Sequence, residues 1–293
     1  MKNKVLVFGD IMIDEYVHVV TKRKAPEADI PVWDEVGRNL RLGGAANVAN
    51  NVRSLGDVQV ALVGICETKD MEYIAYHDID VSSCVDGRTM LKTRYVDSNE
   101  NIILRADNFT NFSKSDLCAP KLRDLMERYK FDIVIISDYN KGTIGEESIN
   151  VIRELHDGPV VVDSKRKDLR LFSGFTVLKV NEHEYDVQVA SPHYTHVEKL
   201  FDYVVVTRGA KGADLKQRDA VKSHDVRYVI NTESFPVEQV KAKDVTGCGD
   251  THTAAMSFSL LKNPDIRFAV KFANACARSV VQKFGTSVPG AVE

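Results

Sequence analysis

Cysteine is scarce and scattered. Cys66, Cys84, Cys118, Cys248 and Cys276 are odd in number and hold no C-x-x-C pair. That pattern argues against a disulfide framework and a structural zinc site, and it fits a reducing compartment. No G-x-x-x-x-G-K-[ST] loop is present and no G-x-G-x-x-G follows the first apolar run, so P-loop and dinucleotide-binding readings lose their main support. H-E-x-x-H is also missing, and Glu182-His183-Glu184 is only a short acidic cluster. No apolar stretch reads as a signal peptide or membrane span. Neither a low-complexity linker nor an internal repeat divides the chain. A formal net charge of -3 provides no basic field for nucleic acid. The expectation is a cytoplasmic protein with no membrane and no nucleic-acid partner.

What is present suits one large α/β domain spanning 1–293, with 44% hydrophobic and 28% charged residues in 293. Short Val- and Ile-rich runs recur at Val5–Phe8, Val58–Gly64, Asp132–Ser137, Val160–Asp163, Thr176–Val180 and Tyr203–Thr207. Helical patterns near Glu146–His156 and Glu182–Ala190 lie between some of them. This alternation predicts a mainly parallel sheet with right-handed crossovers. Gly43-Gly44 starts an Ala/Val/Asn helix ending near Leu55, and Ser113–Tyr129 has helical spacing. Two stretches, about 15–42 and 88–107, alternate polar and apolar residues and are expected to form a small β-lid. Two helices, about Asp250–Leu261 and Asp265–Phe284, close the chain.

The chemistry concentrates in Asp244-Val245-Thr246-Gly247-Cys248-Gly249-Asp250-Thr251. Two glycines open a helix whose first-turn amides, backed by the helix dipole, form an anion site. Asp250 falls in that first turn. Fixed anion donors beside a carboxylate suit phosphoryl transfer, which rests on positioning and charge neutralisation. An Asp N-cap on an ordinary helix is the alternative. Cys248 is either an inert buried thiol or, at a helix N-terminus, one of lowered pKa.

Thr-Gly-Cys-Gly-Asp resembles the Thr-Gly-Ala-Gly-Asp signature of the ribokinase-like (phosphofructokinase-B) sugar kinases. Arg41-Leu42-Gly43-Gly44-Ala45-Ala46-Asn47-Val48-Ala49 resembles their second signature, and Asn181-Glu182-His183-Glu184 their N-x-x-E element. The likeness runs essentially end to end and implies a three-layer αβα core with a β-lid. Within the family it is nearest to the heptose 7-phosphate kinases, through Gly9–Asp14, Pro26–Ala28, Ser137–Gly142 and Phe284–Ser287. It implies ATP-dependent phosphorylation of a sugar hydroxyl, with D-glycero-β-D-manno-heptose 7-phosphate converted to the 1,7-bisphosphate, a lipopolysaccharide core precursor. No H-x-G-H signature is present, so no nucleotidyltransferase domain is expected.

Carried over by position, the resemblance makes Asp250 the general base and the amides of Gly247, Cys248 and Gly249 the anion hole. Asp14, Gly43, Gly44 and Asn47 would hold sugar hydroxyls, and Lys92, Arg105, Asp107 and Lys141 the sugar phosphate and lid contacts. Lys165, Asn181, Thr207, Gly209, Gly212, Thr246 and Asn274 would line the nucleotide site, with Glu184 reaching Mg2+ through water. It also implies a homodimer through the lids. There are departures from the family pattern: Cys248 for Ala, Ser164 for Pro, and Lys179-Val180 for Thr-Pro before Asn181. The alternatives are another ribokinase-like kinase, of a sugar, sugar phosphate or nucleoside, or a silent sugar- or nucleotide-binding homologue. Retention of Asp250, both loop glycines and Asn181/Glu184 argues against silence.

Overall fold

The computed structural model describes residues 2–108, 116–190, 196–219 and 229–290. The chain begins with β1 (Asn3–Gly9), β2 (Ile11–Lys24) and β3 (Pro31–Gly43), then α1 (Gly44–Ser54), β4 (Val58–Val63) and β5 (Ile65–Cys66). It continues with α2 (Thr68–Ala75), β6 (Val85–Asp86), β7 (Met90–Val96), β8 (Ile102–Asn108) and α3 (Ala119–Arg128). Next come β9 (Ile133–Asp138), α4 (Glu146–Leu155), β10 (Val160–Ser164), β11 (Val177–Asn181), α5 (Glu182–Val189) and β12 (Tyr203–Thr207). The remainder is β13 (Ala213–Asp219), β14 (Val229–Phe235), α6 (Cys248–Lys262) and α7 (Ile266–Val280). The expected start of α3 at Ser113 lies outside the described residues.

The main sheet has the order β14-β13-β12-β11-β10-β9-β1-β4. Its strands from β12 to β4 are parallel, and β13 and β14 add an antiparallel edge. The parallel strands read as continuous apolar runs because helices cover both faces. In β1, Val5 and Val7 pack into one core with α1, α6 and α7, while Leu6 and Phe8 pack into the other with α3 and α4. This is the expected three-layer α/β architecture. The antiparallel edge was not expected, because neither β13 nor β14 carries an apolar run.

A second sheet, ordered β3-β2-β7-β8, is built from the two alternating stretches. Register puts Arg41 and Lys92 on either side of Asp14, Arg94 beside Tyr16, and Asp107 and Arg105 opposite Lys92 and Arg94. Paired residues share a face, so one face collects Asp14, Arg41, Lys92, Arg94, Arg105 and Asp107. Arg41 Nη1 ties this sheet to the C-terminal loop by donating to the carbonyls of Phe284 and Thr286 at 2.6 and 2.8 Å.

Candidate active site

Open parallel sheets expose their strand C-termini to ligands. Here β1, β9, β10, β11 and β12 end at Gly9, Asp138, Ser164, Asn181 and Thr207, and the N-terminus of α6 arrives over them. Gly247 caps α6 in the left-handed region at φ 78°, and a β-carbon there would approach Asn47 Nδ2 to 2.9 Å. Glycine takes that conformation without strain. The N–H of Cys248 turns back to Val245 O at 3.2 Å, so the open donors of the first turn are chiefly those of its neighbours.

Asp250 is buried, and both of its oxygens are held. Asn47 Nδ2 donates to Oδ2 at 2.9 Å and the Tyr139 hydroxyl to Oδ1 at 2.6 Å. Behind Asn47, Asn51 Nδ2 donates to its Oδ1 at 3.0 Å, and Thr251 Oγ1 donates to Asn51 Oδ1 at 2.8 Å. This buried chain fixes which way the Asn47 amide faces. Burial raises the Asp250 pKa above the ordinary carboxylate range, against the lowering effect of the bonds from Asn47 and Tyr139. Burial and the nearby Asp250 push Tyr139 well above 10, so it stays a donor.

Tyr139 comes from a loop organised by Asp10. That buried carboxylate accepts from the main-chain N–H groups of Tyr139 at 2.7 Å and Lys141 at 3.1 Å. Lys92 lies over the Tyr139 ring, 4.7 Å from its centroid. Burial lowers the Lys92 pKa, and Asp14 and Asp250 oppose that shift. Arg94 pairs with buried Asp14, whose Oδ2 would clash with a β-carbon at Gly43. Arg105 and Asp107 form a two-pronged pair at 2.7 and 2.6 Å, as their shared face allows. Asp14, Asn47, Lys92, Tyr139 and Asp250 therefore converge at one place.

A cavity of about 260 Å³ opens on the far side of the α6 N-terminus. Four of the residues assigned to a nucleotide, Thr207, Gly209, Gly212 and Asn274, line it together with Cys248 and Gly249. Asn274 Nδ2 donates to Phe235 O at 2.9 Å, and its Oδ1 meets His252 Nε2 at 3.2 Å. Thr246 is not among the lining residues; its hydroxyl donates to Asp244. A wider cleft of about 510 Å³ lies at the opposite end of the strands, against Lys2, Lys4 and Val58, away from every residue considered above.

Asn181 and Glu184 make a capping box on α5: Asn181 Oδ1 accepts from Glu184 N at 2.8 Å and Glu184 Oε2 from Asn181 N at 2.9 Å. Glu184 Oε1 then pairs with Lys165 at 2.7 Å, and Lys165 reaches Asp163 at 3.1 Å. Among the described residues no group of three carboxylate, His or Cys side chains could cage a metal. Magnesium keeps several waters and is commonly held by one or two carboxylates plus substrate phosphates; both Glu184 oxygens are bonded here, to Asn181 N and Lys165, which leaves a water-mediated contact as the mode open to it. Of the two readings of Cys248, the structure favours the inert thiol. Burial, with Asp244 and Asp250, pushes its thiol up to about 11, not down.

The fold is that of the ribokinase-like α/β proteins. The comparisons give the family: the chain belongs to the pfkB family carbohydrate kinases, whose model matches residues 2–291. It is accordingly an ATP-dependent carbohydrate kinase. It is 34% identical over 99% of its length to the "Bifunctional protein HldE" of Bradyrhizobium diazoefficiens, covering 61% of that protein. The chain spans about three fifths of the length of the curated relatives it matches. The phosphofructokinase-2 of Escherichia coli in complex with potassium superposes with TM-score 0.72 at 18% identity, covering 98% of this chain and 95% of that one. Arabidopsis thaliana ribokinase complexed with ribose and ATP superposes with TM-score 0.70 at 18% identity, covering 97% and 94%. No helix among the described residues is long and apolar enough to cross a membrane.

Sequence reading did not single out Tyr139, Asn51, Asp10 or Asp163 as site residues. Tyr139 lies inside the Ser137–Gly142 motif, but only its contact with Asp250, 111 positions away, reveals its place in the site.

Proposed function

We propose that the acceptor is a sugar that already carries a phosphate, with heptose 7-phosphate the best match, and that Asp250 is the general base. One observation carries this reading: a buried carboxylate at the mouth of α6 faces a sheet whose cations Lys92, Arg94 and Arg105 share the face of Asp14. Asp250 takes the proton from the attacking hydroxyl. The freed oxygen pair forms the new bond to the γ-phosphorus, and the bond to the β–γ bridging oxygen breaks with its electrons leaving on ADP. Amides at Gly247 and Gly249, joined by that of Cys248 once it leaves Val245 O, stabilise the charge on the passing phosphoryl group.

Asp14, Gly43, Gly44 and Asn47 hold the sugar. Lys92, Lys141 and Arg105, the last oriented by Asp107, take its phosphate. Thr207, Gly209, Gly212, Thr246 and Asn274 receive the nucleoside of ATP, with Lys165 and Asn181 toward its phosphates. Glu184 would hold Mg2+ through water, and that ion when bound neutralises phosphate charge. The second sheet acts as a lid, and the exposed apolar side chains Leu40, Ile102 and Leu104 suit pairing with a second copy.

The test is ADP release from ATP with heptose 7-phosphate, comparing the wild type with Asp250→Asn. Turnover should fall by ~10²–10⁴-fold, the usual general-base contribution, with ADP affinity unchanged. Asparagine can keep the bond from Asn47 at its Oδ1 and, with the direction reversed, donate its Nδ2 to the Tyr139 hydroxyl, so the melting temperature should stay near that of the wild type. Near-normal turnover in the variant would end the assignment.

A further inference from the structure

Lys179 is a lysine in the interior of a sheet, 2% exposed. Its ammonium donates to Asp163 Oδ2 at 2.7 Å, and the Thr253 hydroxyl donates to the same oxygen at 3.0 Å. Asp163 also meets Lys165, which meets Glu184, so two cations and two carboxylates alternate from α5 to α6. A buried ion pair is weak support for stability, since apolar replacements of similar volume are often neutral or better. Its position points elsewhere. Lys179 is the end of this chain that lies against the first turn of α6. A β-carbon at Gly249 would stand 3.0 Å from its Nζ, with no other atom as near. Glycine there leaves the ammonium uncovered toward the turn.

We propose that Lys179 supplies positive charge to the anion held at the first turn of α6, in addition to the main-chain amides. This deepens the kinase reading and rests on it. In a poorly hydrated interior a charge a few ångströms away acts far more strongly than in water, and it needs no reorganisation during the transfer. Asp163 holds the ammonium in place from behind. The replacement of a family Thr-Pro by Lys179-Val180 then has a function: a fixed cation takes the place of a neutral side chain beneath the loop.

The experiment compares two variants in one background, Asp163→Asn and Asp163→Asn with Lys179→Met. Neither leaves an unpaired buried carboxylate, the asparagine at position 163 can still accept from Lys179 through its amide oxygen, and the two variants differ in residue 179 alone. Asp163→Asn leaves the buried ammonium without its carboxylate and should melt below the wild type, Lys179→Met should recover part of that loss, and both variants should keep sugar KM within threefold. Turnover in the double variant should be ~10²–10³-fold below that of Asp163→Asn, the scale of losing one anion-stabilising donor. Affinity for the non-hydrolysable analogue AMP-PNP relative to ADP should fall at least tenfold. Equal turnover and an equal AMP-PNP to ADP ratio in the two variants would overturn the proposal. Should methionine prevent folding, Lys179→Gln replaces it in the same background and is read in the same way. The nucleotide comparison needs no sugar, so absence of sugar phosphorylation by the wild type would refute the kinase reading without deciding the role of Lys179.

Discussion

Removing the Tyr139 hydroxyl tests the electrostatics of the base more sharply than removing the base. In Tyr139→Phe the ring stays under Lys92, and Asp250 keeps its bond from Asn47 but loses the one at 2.6 Å. A hydrogen bond to a charged group contributes about 1.5–3 kcal/mol, and about 1.4 kcal/mol is a tenfold change in rate or protonation. That bond lowers the Asp250 pKa, whereas burial raises it. Losing it favours the protonated, inactive form. The acid limb of the kcat profile should therefore move to higher pH. On that limb the variant should be about 10- to 100-fold slower than the wild type, with a smaller deficit on the alkaline plateau. The assay is kcat against pH at constant ionic strength, with saturating ATP and sugar phosphate. An acid limb that stays in place would refute the claim that this hydroxyl holds the base ionised.

Two further predictions concern other parts of the molecule. Because burial pushes the Cys248 thiol up to about 11, its alkylation by iodoacetamide should be slow at pH 7 and accelerate steeply in alkali; mass spectrometry of the Cys248 peptide checks this, and rapid modification at pH 7 would contradict it. Light scattering at assay concentrations should give a dimer, and Leu104→Glu on the exposed lid strand should shift it toward monomer; a wild-type monomer would remove the lid–lid contact.

The parallel strands were legible because burial on both faces writes itself as unbroken Val and Ile, as in Val160–Val162. The polar edge strands β13 and β14 were not, since their pairing is set by neighbours more than by local pattern. Alternation showed that Lys92 and Arg94 share a face, but only the register against Asp14 and Tyr16 shows which face it is. The Asp250 loop was readable as glycines before a helix. Its partner Asn47 was placed with the sugar, yet its bond to Asp250 spans 203 positions and no local pattern records it. Lys179 was visible as a departure from a family pattern, and its meaning depends on Asp163 and Gly249 meeting it in space.

The account turns on what the acceptor carries. The decisive measurement is kcat/KM for phosphoryl transfer to heptose 7-phosphate, free heptose, ribose, fructose and a nucleoside, in the wild type and in Arg105→Ala. A site that holds the acceptor's phosphate with Lys92, Lys141 and Arg105 loses those contacts with an acceptor that lacks it, and sites built to bond a substrate group reject analogues without that group by up to about 10⁴–10⁵. Heptose 7-phosphate should lead the panel by orders of magnitude, and Arg105→Ala should erase most of that lead, chiefly through KM. A free sugar or nucleoside at the head of the panel, with the ranking unchanged in Arg105→Ala, would contradict the sugar-phosphate assignment.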